Sequence, residues 1–185
     1  MSKPVSLDMK HVFSALMFKV KATTGYTPAE DEGVTSCWLQ NQNKNIDLFA
    51  TSGYLVFDGN WGAVNLRWSK SEATDVPMYR WKHTGLDFSN EKILYTNNNN
   101  LEGKDYTNND GWLLVVPQEV KANSLHFCYT LKNAGTKEFS VPIPAITYEA
   151  GKRYTYVLEI GGASAEVTLS IADWNMLNAS HDINF

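Results

Sequence analysis

The segment GKRYTYVLEIGGASAEVTLSIADW, residues 151–174, decides the fold class. Large apolar residues recur at every second position on both sides of Gly161-Gly162. These residues are Tyr154, Tyr156, Leu158 and Ile160 before the glycines, and Val167, Leu169 and Ile171 after them. A period of two on either side of a glycine turn is typical of a β-hairpin. The segment therefore predicts that the chain ends an all-β domain.

The same period governs most of the chain, and no segment keeps a helical period over three turns. Further strands are predicted at residues 11–21, 35–40, 45–51, 54–58, 64–68, 78–83, 92–96, 111–116, 124–132 and 139–143. Short strands separated by Gly, Asn and Asp indicate an antiparallel β-sandwich, with residues 1–185 as a single domain. Segment 11–21 is apolar on both faces, which places it mid-sheet or under a neighbouring domain. Pro142 and Pro144 indicate an edge strand or a crossing between sheets.

Composition excludes several partners. The 185 residues are 43% apolar and 12% aromatic, enough for one sizeable core. A net charge of −4, with scattered Lys and Arg, is unsuited to nucleic acid or to a basic membrane anchor. No apolar run reaches the length of a membrane span, and no secretory signal stands near Met1. If the protein is exported, we expect the export signal to lie upstream.

The two cysteines, Cys37 and Cys128, lie in the apolar runs SCWL and HFCYTL. A buried thiol behaves as a small apolar residue, so free thiols are favoured over one disulfide.

Catalytic and metal-binding motifs are not apparent in the sequence. His11, His83, His126 and His181 are far apart, and His11 and His126 are interpreted as structural. Carboxylates for glycoside hydrolysis could come from Asp47, Asp58, Asp87 or Glu91, but nothing places two of them across a cleft. We therefore predict no enzyme and no cofactor, with a hydrolase kept as a remote third possibility.

The Asn-rich segment 97–110 is interpreted as a solvated connection. Asp105, Asn108 and Asp110 are oxygen ligands, so a calcium site is the alternative. Tyr106 and Pro117 stand where a calcium-binding loop needs ligands, which argues against that site.

The six tryptophans raise the question of sugar binding. Trp61 lies in a predicted turn and, with Trp68 and Trp81, is the candidate for an exposed glycan platform. Trp112 and Trp174 lie in or beside alternating strands and are predicted to fill the core or the space between sheets.

Four segments, in this order, resemble the carboxy-terminal half of the fimbrillins of Bacteroidales, which are subunits of surface pili. They are PVSLDMKHVFSALMFKV from residue 4, WLLVVPQ at 112–118, the strand with Leu125, Phe127 and Tyr129, and the hairpin 151–174. The hairpin 151–174 begins with Gly-Lys-x-Tyr-x-Tyr and ends with Ile-x-x-Trp, and in both it resembles the closing hairpin of the family. Residues 25–110 carry no resemblance.

The resemblance implies a transthyretin-like, Greek-key β-sandwich that is exported as an outer-membrane lipoprotein and assembled into fimbriae by strand exchange. In this scheme an extended strand of one subunit fills a groove in the next. The candidate donor is the tail NMLNASHDINF, residues 175–185, with Met176, Leu177, Ile183 and Phe185 as its apolar residues. The alternatives are that this tail completes its own sheet or frays.

The sequence thus predicts a structural fimbrial subunit, or a fimbrillin-like tip or accessory protein, that acts in cell adhesion. Its partners would be other fimbrial subunits, and surface ligands of the host or of other bacteria. The alternative is a cell-surface glycan-binding β-sandwich.

Overall fold

The structure, a computed structural model, describes residues 11–42, 49–58, 65–70, 78–95, 111–135, 137–161 and 164–174. At 55–58 and 65–70 only the backbone is described. The strands are β1 (Ser14–Ala22), β2 (Val34–Asn41), β3 (Gly53–Asp58), β4 (Asn65–Lys70), β5 (Met78–Leu86), β6 (Lys92–Ile93), β7 (Leu113–Val115), β8 (Gln118–Val120), β9 (Leu125–Leu131), β10 (Glu138–Pro142), β11 (Ile146–Tyr148), β12 (Lys152–Gly161) and β13 (Ser164–Asp173). A 3-10 turn spans Lys132–Ala134. Within these ranges no helix is long and apolar enough to cross a membrane.

Two sheets form the body of the fold. The larger sheet has the order β13-β12-β1-β6, and β7 pairs with β1 beside β6. The smaller sheet has the order β10-β9-β2-β5. Two-stranded sheets join β8 with β11 and β3 with β4. The predicted all-β sandwich is confirmed.

One pairing differs from the antiparallel expectation. Strand β1 runs parallel to β12 over eight pairs, from Ala15 with Arg153 to Ala22 with Ile160. Strands β6 and β7 pair with its other side, so β1 lies mid-sheet as its apolar pattern predicts. Parallel pairing needs a long crossover, and here it joins the first strand to one almost 140 residues later.

The core lies between the two sheets, where Phe18 of β1 stands at its centre. Its ring stacks on Phe127 of β9, with centroids 4.8 Å apart, and on Tyr156 of β12 at 5.0 Å. All three side chains are at most 2% exposed. Burying one such ring stabilises a fold by roughly 1.5–3 kcal/mol, and offset stacking adds to this.

The Gly-Lys-x-Tyr-x-Tyr sequence forms the turn into β12. Gly151 has φ +75°, a conformation that favours glycine, and its N–H donates to the carbonyl of Phe13. The Tyr154 hydroxyl donates to the Thr147 carbonyl at 3.0 Å and accepts from the Glu149 N–H at 2.8 Å. Tyr154 and Tyr156 both lie in the core, and Tyr154 also holds the turn through its hydroxyl.

Most predicted strands are confirmed with shifted bounds, two predicted strands were wrong in part, and one strand pair was not predicted. Residues 49–51 of the predicted strand 45–51 are not in a strand, and residues 45–48 lie outside the described ranges. Strand β6 covers only two residues of 92–96. The pair β8–β11 was not anticipated, because three-residue strands show almost no period. The predicted edge at Pro142 is confirmed, since β10 borders the smaller sheet.

Residues Phe49 and Ala50 are held by side chains instead of a strand partner. Gln118 accepts a hydrogen bond from the Ala50 N–H at 2.7 Å and donates to the Ala50 carbonyl at 2.8 Å. It also donates to the Val116 carbonyl at 3.0 Å. Asn41 accepts from the Phe49 N–H at 2.9 Å. The Gln118 side-chain amide thus bonds to Ala50 as a neighbouring strand would, and this explains the role of the glutamine in the Pro-Gln sequence.

The cysteines are free, as predicted. Cys128 pairs in register with Trp38, the residue after Cys37, so the two thiols point to opposite faces of the smaller sheet. Burial raises the pKa of Cys128 to about 12 and raises the pKa of Cys37 further.

We expect Gln118→Ala to lower the free energy of unfolding by about 2–4 kcal/mol, because it leaves the buried Ala50 amide and carbonyl without partners. Urea denaturation measures the effect. The control is Glu119→Ala at the next, exposed residue, which should change the value by less than about 0.5 kcal/mol. Equal effects of the two substitutions would contradict this account of Gln118.

We expect neither thiol of the native protein to react with a thiol reagent at pH 8, whereas both react after denaturation. Because the folded state raises both thiol pKa values, their contribution to stability is complete below the unfolded pKa of about 8.5 and declines as pH rises above it. Absorbance titration with a chromogenic disulfide measures the reactivity of the thiols. The free energy of unfolding, measured by denaturation at pH 8 and pH 10, tests the pH dependence. Rapid native labelling of one thiol would show that its burial is incomplete.

Candidate functional site

The candidate site is the outer edge of the larger sheet, formed by β13. This strand pairs with β12 over ten consecutive residues, from Lys152 with Asp173 to Gly161 with Ser164, without a register shift. Within the described ranges no strand pairs with its other side. The sequence of β13, SAEVTLSIAD, contains no Lys, Arg or Pro. It therefore lacks the lysine and proline that often protect an edge against pairing, and its only charged residues are Glu166 and Asp173.

The inner face of β13 is incompletely covered. Ala165, Val167 and Leu169 pack against the core but are only half-buried, and Ile171 is 57% exposed. The residues opposite them on β12 are at most 2% exposed. The inward side chains of β12 are thus fully buried, whereas those of the next strand, β13, are partly exposed.

Strand β10 borders the smaller sheet on the same side and contacts β13. Its inward residues, Phe139 and Val141, are also half-buried against the core. We call these two residues, together with Ala165, Val167, Leu169 and Ile171, the seam. Its six apolar side chains line the gap between the borders of the two sheets.

The borders on the opposite side of the sandwich are short or irregular. Strands β6 and β7 have two and three residues, while the pairing of β5 with β2 shifts register twice. Tyr79 and Gly85 of β5 have φ of 50° and 141°. Short strands and bulges both obstruct the addition of another strand. Of the borders described, β13 therefore offers the longest regular ladder.

The tryptophans lie elsewhere than predicted. Trp81 is fully buried, so the prediction that it belongs to a glycan platform is wrong. Trp61 lies outside the described residues, and the side chain of Trp68 is not described. Trp112 and Trp174 are half-buried beside Arg153, which points away from the core, so their prediction as core residues is also wrong. Alternation fixes which residues share a face but not which face is inside.

Of the four carboxylates proposed for hydrolysis, the two whose side chains are described have other partners. Asp87 accepts hydrogen bonds from the N–H and hydroxyl of Ser89, which lower its pKa. Glu91 pairs with Lys19 at 2.7 Å. Asp47 lies outside the described ranges, and the side chain of Asp58 is not described.

The remaining candidates are structural or unplaced. Among the described residues, no three His, Cys, Asp or Glu side chains are grouped to hold a metal ion. His126 lies in β9, where burial lowers its pKa. The calcium candidates at 105–110, His181, and the donor residues Met176, Leu177, Ile183 and Phe185 lie outside the described residues.

A β-sandwich with one long regular border that no described strand pairs, and with an apolar seam beside it, is a fold suited to accept an added strand. The chain belongs to the fimbrillin-like family, whose model matches residues 1–174. This confirms the resemblance carried by the four sequence segments. A search among curated proteins finds no significant match.

Solved structures resemble the fold at low identity. A candidate cell adhesion protein of Bacteroides uniformis is 15% identical, with a TM-score of 0.52 over 90% of this chain and 52% of the other. One from Bacteroides ovatus is 14% identical, with a TM-score of 0.49 over 89% and 46%. The tip fimbrial protein of Porphyromonas gingivalis is 13% identical, with a TM-score of 0.41 over 89% and 52%. This chain thus spans about half the length of each, and the first likeness supports the sandwich fold alone.

We expect hydrogen exchange to show a two-residue alternation along β13. Amides that bond to β12 should exchange at least about 100-fold more slowly than those that point outward, because only the former lie in a ladder. Residue-resolved exchange by NMR on the monomer measures this. Protection of every β13 amide would mean that a further segment already occupies the border.

Proposed function

We propose that this protein is a subunit of a cell-surface fimbria that joins its neighbours by strand exchange along β13. The observation that carries the proposal is the ten-residue border of β13 with its half-buried inner face. Membership of the fimbrillin-like family supports the fimbrial role and the location on a surface appendage. A structural role in adhesion, rather than catalysis, is the function we propose.

The proposed occupant of the seam is the tail, residues 175–185, of a second copy. An extended chain rises about 3.3 Å per residue, so these eleven residues match the ten residues of β13 in length. Leu177, Ile183 and Phe185 share one face of an extended strand and have the apolar character that the seam requires. The tail could instead pair with its own β13, and the experiments below separate the two arrangements.

The energetics favour a durable joint. Burying three large apolar side chains contributes roughly 5–9 kcal/mol before the cost of ordering the tail. Hydrogen bonds to the outer side of β13 would satisfy backbone groups that no described strand pairs. Without disulfides at the seam, such a joint depends on packing and backbone pairing alone.

We expect removal of residues 175–185 to abolish self-association of the full chain while the thermal unfolding midpoint stays within a few degrees. Light scattering and electron microscopy report assembly, and circular dichroism reports folding. A large loss of stability would instead show that the tail completes its own sheet, and unchanged assembly would refute the donor role.

A matched pair of substitutions tests the receiving strand. Ile171→Lys places a charge on the seam, whereas Thr168→Lys places the same charge on the opposite, outward face of β13. A peptide of residues 175–185, added to the tail-deleted protein, should bind the first variant at least about 10-fold more weakly than the second. Equal binding to both would exclude the inner face of β13 as the receptor.

A further inference from the structure

A stack of cationic and aromatic groups lies on the outer face of the larger sheet. The guanidinium carbon of Arg153 lies 5.2 Å from the ring of Trp112 and 5.4 Å from that of Trp174. His11 stacks on Trp174 with centroids 3.8 Å apart and planes 8° from parallel. Indole faces attract a guanidinium and restrict its orientation, so among the described residues Arg153 is held by aromatic rings and not by a carboxylate.

The hydrogen-bonding capacity of Arg153 is unused within the described structure. Its Nε is buried and donates to no acceptor, and no carboxylate of the described residues forms an ion pair with it. Because Nε is its only buried nitrogen without a partner, we place the two terminal NH₂ groups at the solvent boundary. These groups can form two parallel hydrogen bonds with one carboxylate.

Arg153 has a small side chain directly opposite it on each neighbouring strand. Ala15 and Ala172 lie directly beside it on the neighbouring strands. Thr155 and Ser170 face each other across β12 and β13, two residues further along. The register thus puts the exposed Ala172 and two hydroxyl groups next to a cation that is bordered by indole rings.

We propose that this cluster, Arg153 with Trp112, Trp174, Thr155 and Ser170, binds a carboxylate-bearing sugar of a surface glycan. The guanidinium would take the carboxylate, the hydroxyls of Thr155 and Ser170 would pair with sugar hydroxyls, and the indole rings would keep the guanidinium in position. An acidic peptide fits less well, because β1 and β12 are interior strands whose backbone groups already pair on both sides. This site is separate from the seam and does not depend on strand exchange.

The first measurement is calorimetric titration of the full chain with 3′-sialyllactose and with digalacturonate, using lactose as the neutral control. We expect at least one acidic sugar to bind at least about 10-fold more tightly than lactose. Absence of binding by both acidic sugars, or equal binding of lactose, would overturn the proposal.

A pair of variants at Ala172 assigns any binding to the cluster. This exposed residue lies opposite Arg153, so Ala172→Glu supplies an internal carboxylate that competes for the guanidinium, whereas Ala172→Gln has nearly the same size without the charge. We expect the Glu variant to lose at least about 10-fold in affinity and the Gln variant to lose less than about 3-fold. Equal affinities would place the sugar elsewhere.

A second comparison separates binding from stability. Arg80 also stacks on a tryptophan, 4.8 Å from the ring of Trp38, with a buried Nε that lacks a partner, but it lies in the smaller sheet. Arg153→Lys should weaken the acidic sugar at least about 10-fold while Arg80→Lys does not, with both unfolding midpoints measured. Equal weakening by the two variants would mean that only stability had changed, and would refute the site.

Discussion

The stack of Phe18 between Phe127 and Tyr156 is the contact on which the rest of the fold depends. The stack joins the two sheets through β1. In the larger sheet, β1 lies between β12 on one side and β6 and β7 on the other. The strand pairing of β13 depends on this arrangement, because β12 is the only described strand that pairs with β13. A disturbance at Phe18 would therefore reach the border of the sheet through one intervening strand.

The strands at the two borders of the sandwich differ in length and regularity. On one side the ladders are cut short at β6 and β7 or distorted at β5. On the other side β13 is regular, free of Lys and Pro, and lined by half-buried apolar residues. Protection of only one side is difficult to explain by stability alone, since an exposed Ile171 contributes little to a monomer. The difference between the two borders is easier to explain if β13 receives a strand from another subunit.

Sequence periodicity predicted the fold class because strands of seven to ten residues, such as β9 and β12, show a clear period of two. It could not predict that β1 and β12 run parallel, since alternation carries no direction. It also misplaced Trp112 and Trp174, because an aromatic residue at the end of a strand fits either face. The role of Gln118 depends on a loop that approaches from almost 70 residues away in sequence. The sequence did not predict that β13 forms a border, because the position of a strand in its sheet depends on where the other described strands lie.

The position of the tail directly after β13 has a mechanical consequence. In the proposed fimbria, the strand that receives a neighbour's tail is also the strand that continues into the subunit's own tail. Tension would then enter each copy through the pairs between its β13 and the neighbour's tail, run along the β13 backbone and leave through its own tail, so that it loads those intersubunit pairs in shear. Pairs loaded in this direction must break together, whereas pairs pulled apart from one end break in sequence. Pulling force would thus bypass the aromatic core, which could stay intact while the filament stretches.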